Sequence, residues 1–186
     1  MSKIPRHADV DAVELVGGIE KRELEVVDYD EHWPGIFAEH RHRLRAALGT
    51  VPIEHIGSTS VPGLAAKPII DIVITVDDIT AEDDYLPQLL AAGYLLRVRE
   101  PGHRLVRTPE LDVHVHMYSR GDAAISRYLA LRDRLRSDPA DRELYARTKR
   151  ALIEQGFDDM NAYSEAKNEV IAAIMSRAAP PSSPVR

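Results

Sequence analysis

The sequence predicts a mixed α/β (α+β) domain: a mixed β-sheet flanked by helices, with a helical C-terminal third. Three observations lead there. Residues 68–76 (PIIDIVITV) form a nearly continuous apolar run rich in β-branched side chains, as in a central strand covered on both faces. Short strand-like segments punctuated by Gly and Pro lie on either side of it. From Gly121 to about Arg177 the apolar spacing becomes helical.

Residues 1–23 mix charges with Gly17 and Gly18 and lack periodicity, so they read as a flexible N-terminal arm. Residues 24–28 are of β-branched strand type. A helix is expected to begin near Trp33 and Pro34, because proline suits a first helical turn. Ile36, Phe37, His40, Leu44, Ala47 and Leu48 then recur at helical spacing, and Gly49 stands where a C-terminal cap belongs. Residues 51–56 are a second strand, opened by Pro52. Residues 57–67 are a loop of small residues leading into the central strand. Asp77, Asp78, Asp83 and Asp84 bracket the start of a helix that ends near Gly93 and turns Leu86, Leu89 and Leu90 inward. Strands are expected over 94–99, 104–108 and 111–118, with turns at Pro101-Gly102 and Pro109-Glu110. Three helices follow, broken at 137–139 and 156–158. Residues 179–186, with Pro180, Pro181 and Pro184, read as a disordered tail, leaving 24–178 as one folded domain.

Hydrophobic residues at 44% and charged residues at 29% describe an ordinary globular chain and exclude a wholly disordered one. A formal net charge of −6 argues against a polynucleotide partner, since phosphate backbones reward a basic excess. The absence of cysteine excludes a disulfide framework and any thiolate metal site. No apolar run approaches the roughly 20 residues of a membrane span, and Met1 to His7 lack the apolar middle of a signal peptide. A cytoplasmic protein is expected.

The chemistry concentrates in residues 55–72, HIGSTSVPGLAAKPIIDI. A strand runs into a turn of glycine and hydroxyls; Gly57 permits close backbone approach, and amides with the Ser58, Thr59 and Ser60 hydroxyls suit phosphate oxygens. The next strand brings Asp71 back beside that turn. A lone carboxylate in so apolar a strand needs a partner, and there it can hold Mg²⁺ against phosphate. The plain alternative is a tight turn with a capping aspartate.

This stretch resembles the signature of the GrpB family, which is assigned to the polymerase-β-like nucleotidyltransferase superfamily. The resemblance runs from about Leu24 to Met175 and includes Tyr29-Asp30 with Trp33, the stretch YLALRDRLR at 128–136, Tyr145 with Lys149, and Tyr163 with Lys167. It implies a nucleotidyltransferase-like sheet and a site for a nucleoside triphosphate with Mg²⁺. It also brings in His55 at the head of the signature. A similar domain is fused behind some dephospho-CoA kinases, which suggests a partner protein. Superfamily sites pair the Gly-Ser turn with an Asp-x-Asp or Asp-x-Glu strand and a later carboxylate. Gly57, Ser58 and Asp71 match the first positions, Val73 stands where the second carboxylate belongs, and strand order assigns the later one to Asp112.

In residues 112–117, DVHVHM, strand alternation puts Asp112, His114 and His116 on one face. His114 best matches the family's histidine strand, so Asp71, Asp112 and His114 are the catalytic candidates and Asp71 with Asp112 the metal ligands. Arg132 and Arg136 share a helix face, as do Tyr145 with Lys149 and Tyr163 with Lys167. Folded over the sheet, they would meet phosphate together with Lys67, Arg104 and His116. Trp33 and Tyr163 read as packing residues. Three functions remain open: nucleotidyl transfer to an acceptor, a non-catalytic module that binds a nucleotide or other phosphate-bearing small molecule or assists folding, and a metal-dependent hydrolase using His114 and His116.

Overall fold

The computed structural model describes residues 5–19, 25–155 and 165–177. Its centre is the apolar run read from the sequence. Strand β3 (Ile70–Val76) lies parallel to β6 (Val113–Ser119), in register from Ile70 opposite Val113 to Val76 opposite Ser119. Strand β2 (Ile53–Ile56) flanks β3, while β5 (His103–Arg107), β4 (Leu95–Glu100) and β1 (Glu14–Leu15) extend the sheet beyond β6. These neighbours pair antiparallel, giving the six-stranded order β1-β4-β5-β6-β3-β2.

Both faces of β3 are covered over most of its length, which explains why its sequence barely alternates, whereas β6 alternates because His114 and His116 face the cleft described below. Ile70, Ile72, Ile74, Val113, Val115 and Met117 pack with Trp33 and Leu44 of α1 (Trp33–Leu48) and with Leu86 and Leu89 of α2 (Leu86–Ala91). On the other face Val73 and Tyr118 meet Ala124 of α3 (Ala123–Ser137). Helix α1 starts with proline in its first turn and ends at Gly49, whose φ of 71° and N–H bond to the Arg45 carbonyl close it as expected. Leu90 departs from expectation. With α2 only six residues long, Leu86 and Leu89 take the inward positions and Leu90 is 45% exposed.

The strand expected at 24–28 shrinks, within its described residues, to a bridge between Val27 and Ala66, with two 2.9 Å hydrogen bonds. The next bonded pair would need an N–H from residue 68, a proline, so the ladder stops. The N-terminal segment, expected to be loose, is tied to the sheet over its described residues. Glu14 and Leu15 pair with β4, and Asp9 accepts from Gly102 N (2.6 Å) and Arg104 Nη2 (2.6 Å). Arg104, expected at the phosphate site, also donates to Glu82 Oε1 (2.6 Å) and is 2% exposed. The reason is alternation: His103 and Arg104 point to opposite faces of β5, and Arg104 takes the one away from the cleft described below.

Helix α3 is capped by Asp122, which accepts from Ala124 N at 2.8 Å. It breaks at Asp138, held extended (φ −114°, ψ 105°) before Pro139, where α4 (Pro139–Gln155) begins. Helix α5 (Asn168–Arg177) follows; the expected break at 156–158, Tyr163 and the tail at 179–186 lie outside the described residues. Asp141, buried, joins Arg134 of α3 to Arg177 of α5. No helix among the described residues is long and apolar enough to cross a membrane.

Arg104→Ala would leave Asp9 and Glu82 without their shared cation. We expect a loss of roughly 3 kcal/mol in urea unfolding, with faster hydrogen exchange at Gly102 and Val16, whose N–H groups donate to Asp9 and to the Arg97 carbonyl, as the arm detaches.

Candidate functional site

The turn after β2 presses directly on Asp71. Antiparallel pairing sets Ile56 opposite Asp71, so Gly57 leaves the sheet beside that carboxylate. Its φ is 71°, and a Cβ placed there would stand 2.6 Å from Asp71 Oδ2 and 3.1 Å from Asp71 Cβ. Only glycine accepts both the left-handed backbone and the contact. Within the turn, Thr59 Oγ1 donates to the Ile69 carbonyl (3.0 Å) and Ser60 Oγ to the Gly57 carbonyl (2.6 Å). These two hydroxyls are occupied in building the turn, and Ser58 is the one directed at a basic side chain.

His55 and Ser60, expected to bind ligand, lie behind the turn and do not line the cleft. His55 stacks on Phe37 with centroids 4.7 Å apart, and its Nε2 meets Thr59 Oγ1 at 3.1 Å. Burial pushes it down to about 4, so it stays neutral. Arg136 likewise supports the turn from outside, donating to the Ser60 carbonyl at 2.9 Å. Arg132 reaches the cleft wall, yet its guanidinium is engaged by Glu54 Oε2 (2.8 Å), Asp133 Oδ1 (2.8 Å) and the His55 carbonyl (3.1 Å).

The parallel register places His114 opposite Asp71 and His116 opposite Val73. Asp71 Oδ1 lies 3.7 Å from His114 Nδ1 and 3.5 Å from His116 Nε2. Burial pushes the Asp71 carboxyl up, but His116, His114 and Lys167 more than offset this and hold it below the usual carboxylate range. Asp112 is not part of the group. Leu111 adopts φ 65°, the alternating strand begins only at Val113, and the Asp112 carboxylate accepts from Thr108 Oγ1 at 2.6 Å across the turn between β5 and β6. Val73 is 2% exposed and sealed among Ile56, Tyr118 and Ala124.

Helices α3, α4 and α5 roof this face and enclose a cavity of about 300 Å³. Its walls bring together Ser58, Asp71, His114, His116 and three lysines, Lys67, Lys149 and Lys167. Lys149 is 2% exposed; its Nζ donates to Ser58 Oγ at 3.0 Å and to the Ala65 carbonyl, and sits 4.9 Å above the Tyr145 ring. Burial, with Lys167, Arg150 and Lys67 nearby, pulls it down to about 7. Burial also lowers Lys167, against the opposing pull of Asp71.

The profile of the GrpB protein family matches residues 23–177. The chain belongs to the GrpB family. It is 62% identical over 174 residues to a UPF0157 protein of Streptomyces coelicolor, covering 93% of this chain and 94% of that one. It is 29% identical to a dephospho-CoA kinase of Mycolicibacterium paratuberculosis, covering 80% of this chain and 44% of the kinase. Among solved structures, the GrpB protein of Enterococcus faecalis superposes with a TM-score of 0.67 at 30% identity, over 81% of this chain and 99% of that one. A weaker likeness, TM-score 0.49 at 14% identity, extends to the GLD-2/RNP-8 complex over 83% of this chain and 62% of that one.

In this GrpB protein the donors around Asp71 are not those of a two-magnesium site. Mg²⁺ takes an oxygen shell in octahedral geometry, whereas one carboxylate and two imidazoles stand here. A single Mg²⁺ carried on a phosphate ligand would find only Asp71. His103 was not singled out in the sequence, yet its Nε2 lies 3.1 Å from His116 Nδ1 and its Nδ1 meets Glu100 Oε1 at 2.5 Å. Thirteen residues separate the two histidines; only the antiparallel pairing of β5 with β6 joins them. Tyr128 and Ile171, on the cleft roof, are equally invisible before the helices are placed.

Gly57→Ala should destabilise the protein by about 2 kcal/mol, from left-handed strain and displacement of Asp71. The midpoint of urea denaturation measures it, and Gly63→Ala, where a Cβ meets open space, separates the backbone contribution from the contact.

Proposed function

We propose that the cleft binds a phosphate-bearing small molecule, with a nucleoside triphosphate the leading class. Phosphate oxygens face Ser58, Lys149, Lys167 and Lys67, and a divalent cation sits at Asp71. One observation carries the reading: a chain of net charge −6 lines one cavity with three lysines, one of them almost fully buried. The Lys149 ammonium donates to neutral oxygens. Keeping a charge there is unfavourable without a counter-anion, and phosphate supplies one.

Binding without turnover is favoured over nucleotidyl transfer by two magnesium ions. That reaction asks for several carboxylates on adjacent strands, and here Val73 is core while Asp112 is bonded to Thr108. Pyrophosphate released from a nucleoside triphosphate in an Asp71-dependent manner would reverse this preference.

A thermal-shift series with nucleoside triphosphates, diphosphates and pyrophosphate tests the proposal. A ligand at a hundred times its Kd should stabilise by about 2.7 kcal/mol. Lys167→Met or Ser58→Ala should weaken it about 10- to 100-fold, as expected for a charge-assisted hydrogen bond. No shift with any of these compounds overturns the proposal.

Lys149 adds a pH signature. Its folded value of about 7 lies below 10.5, so between these values the unfolded chain binds more protons and stability rises with pH. An anion favours the ammonium form, so binding takes up a proton above pH 7. Affinity for pyrophosphate should fall by up to about tenfold per pH unit there, measured by calorimetry, and Lys149→Met should flatten the slope.

A further inference from the structure

Asp71, His114 and His116 stand close enough for one donor atom of each to lie within 4.8 Å of the others. Four donors placed tetrahedrally about a metal at 2.0–2.1 Å are roughly 3.3 Å apart. The carboxylate-to-imidazole distances of 3.5 and 3.7 Å are close to that value.

The hydrogen-bond chain behind His116 decides which of its nitrogens is bare. Glu100, as a carboxylate, only accepts, so the proton of a neutral His103 is on Nδ1 and its Nε2 is an acceptor. His116 must then donate from Nδ1 to His103. In neutral His116 the Nε2 lone pair is then left facing Asp71 Oδ1 at 3.5 Å. Two acceptors facing each other in a half-buried cleft repel unless a proton or a metal ion lies between them, and a metal replaces that proton. A ligating imidazole whose second nitrogen is anchored through a further residue to a carboxylate is the arrangement that orients metal-binding histidines.

The geometry points to a transition-metal site of the Zn²⁺ class, held by Asp71 Oδ1, His114 Nδ1 and His116 Nε2 and oriented through His103 and Glu100. The ion fills the cation position of the proposed function, although the site itself does not depend on which anion enters. Two imidazoles and one carboxylate favour a borderline metal over Mg²⁺. Three protein ligands leave a coordination position open. The cavity with Ser58 and Lys149 adjoins that position, and a phosphate oxygen suits it.

The test uses the full chain, stripped with chelator and titrated with metal alone. We expect one equivalent of Zn²⁺ by calorimetry and visible d–d absorption with Co²⁺, with no heat from Mg²⁺ at concentrations that saturate Zn²⁺. His114→Ala and His116→Ala should abolish binding. Glu100→Gln, at the exposed end of the chain, should weaken it about 10- to 100-fold while melting like the wild type. Nitrogen-15 shifts of the Zn²⁺-loaded protein should place the His116 proton on Nδ1. Zn²⁺ binding unchanged in His116→Ala, Mg²⁺ preferred over Zn²⁺, or a His116 proton on Nε2 in the Zn²⁺-loaded protein would overturn the site. Pyrophosphate titrated separately distinguishes the two readings, because loss of metal binding with pyrophosphate binding intact removes this inference alone.

Discussion

The in-register parallel pairing of β3 with β6 is the constraint on which the rest depends. It sets Asp71 beside His114 and brings His116 one step further along the same face. A shift of β6 by one residue would turn His114 and His116 to the face opposite Asp71, where Trp33, Leu44 and Leu89 fill the space. The register is held because both faces of β3 are occupied. Ile70, Ile72 and Ile74 are buried under α1 and α2, while Val73 is sealed against α3.

The turn at Gly57 converts that sheet into a site. Because the glycine lacks a Cβ, the backbone closes onto Asp71 instead of standing off it. His55, Thr59, Ser60 and Arg136 then form a scaffold around the turn. This hydroxyl-rich turn therefore uses most of its polar groups on its own shape, as a loop carrying a close backbone contact must. Ser58 remains directed at Lys149, and the two join the turn to the C-terminal helices.

Those helices add the opposite charge. Lys149 and Lys167 arrive from the C-terminal part of the chain to share a cavity with one carboxylate and two histidines. The Asp141 ion pairs tie α3 to α5, so the roof carrying the lysines is itself braced. Acidic surface and basic cavity coexist because the lysines are gathered on the inside of one cleft, while much of the acidic charge lies outside it, as at Asp77, Glu143 and Glu169.

Much of this was legible in the residues. The apolar run at 70–76, the Gly49 cap, the Pro139 break and the Gly57-to-Asp71 approach all follow from local chemistry, because propensity, periodicity and backbone sterics act over a few neighbouring positions. The tertiary structure alone decided the roles of residues whose side chains had more than one partner within reach. Arg104 went to Asp9 and Glu82, Asp112 to Thr108, and His103, silent in the sequence, joined His116. Strand alternation gives each side chain a face, but which charge or hydroxyl waits there is set by segments up to ninety-five residues away, as for Arg104 with Asp9. No short-range pattern encodes that distance.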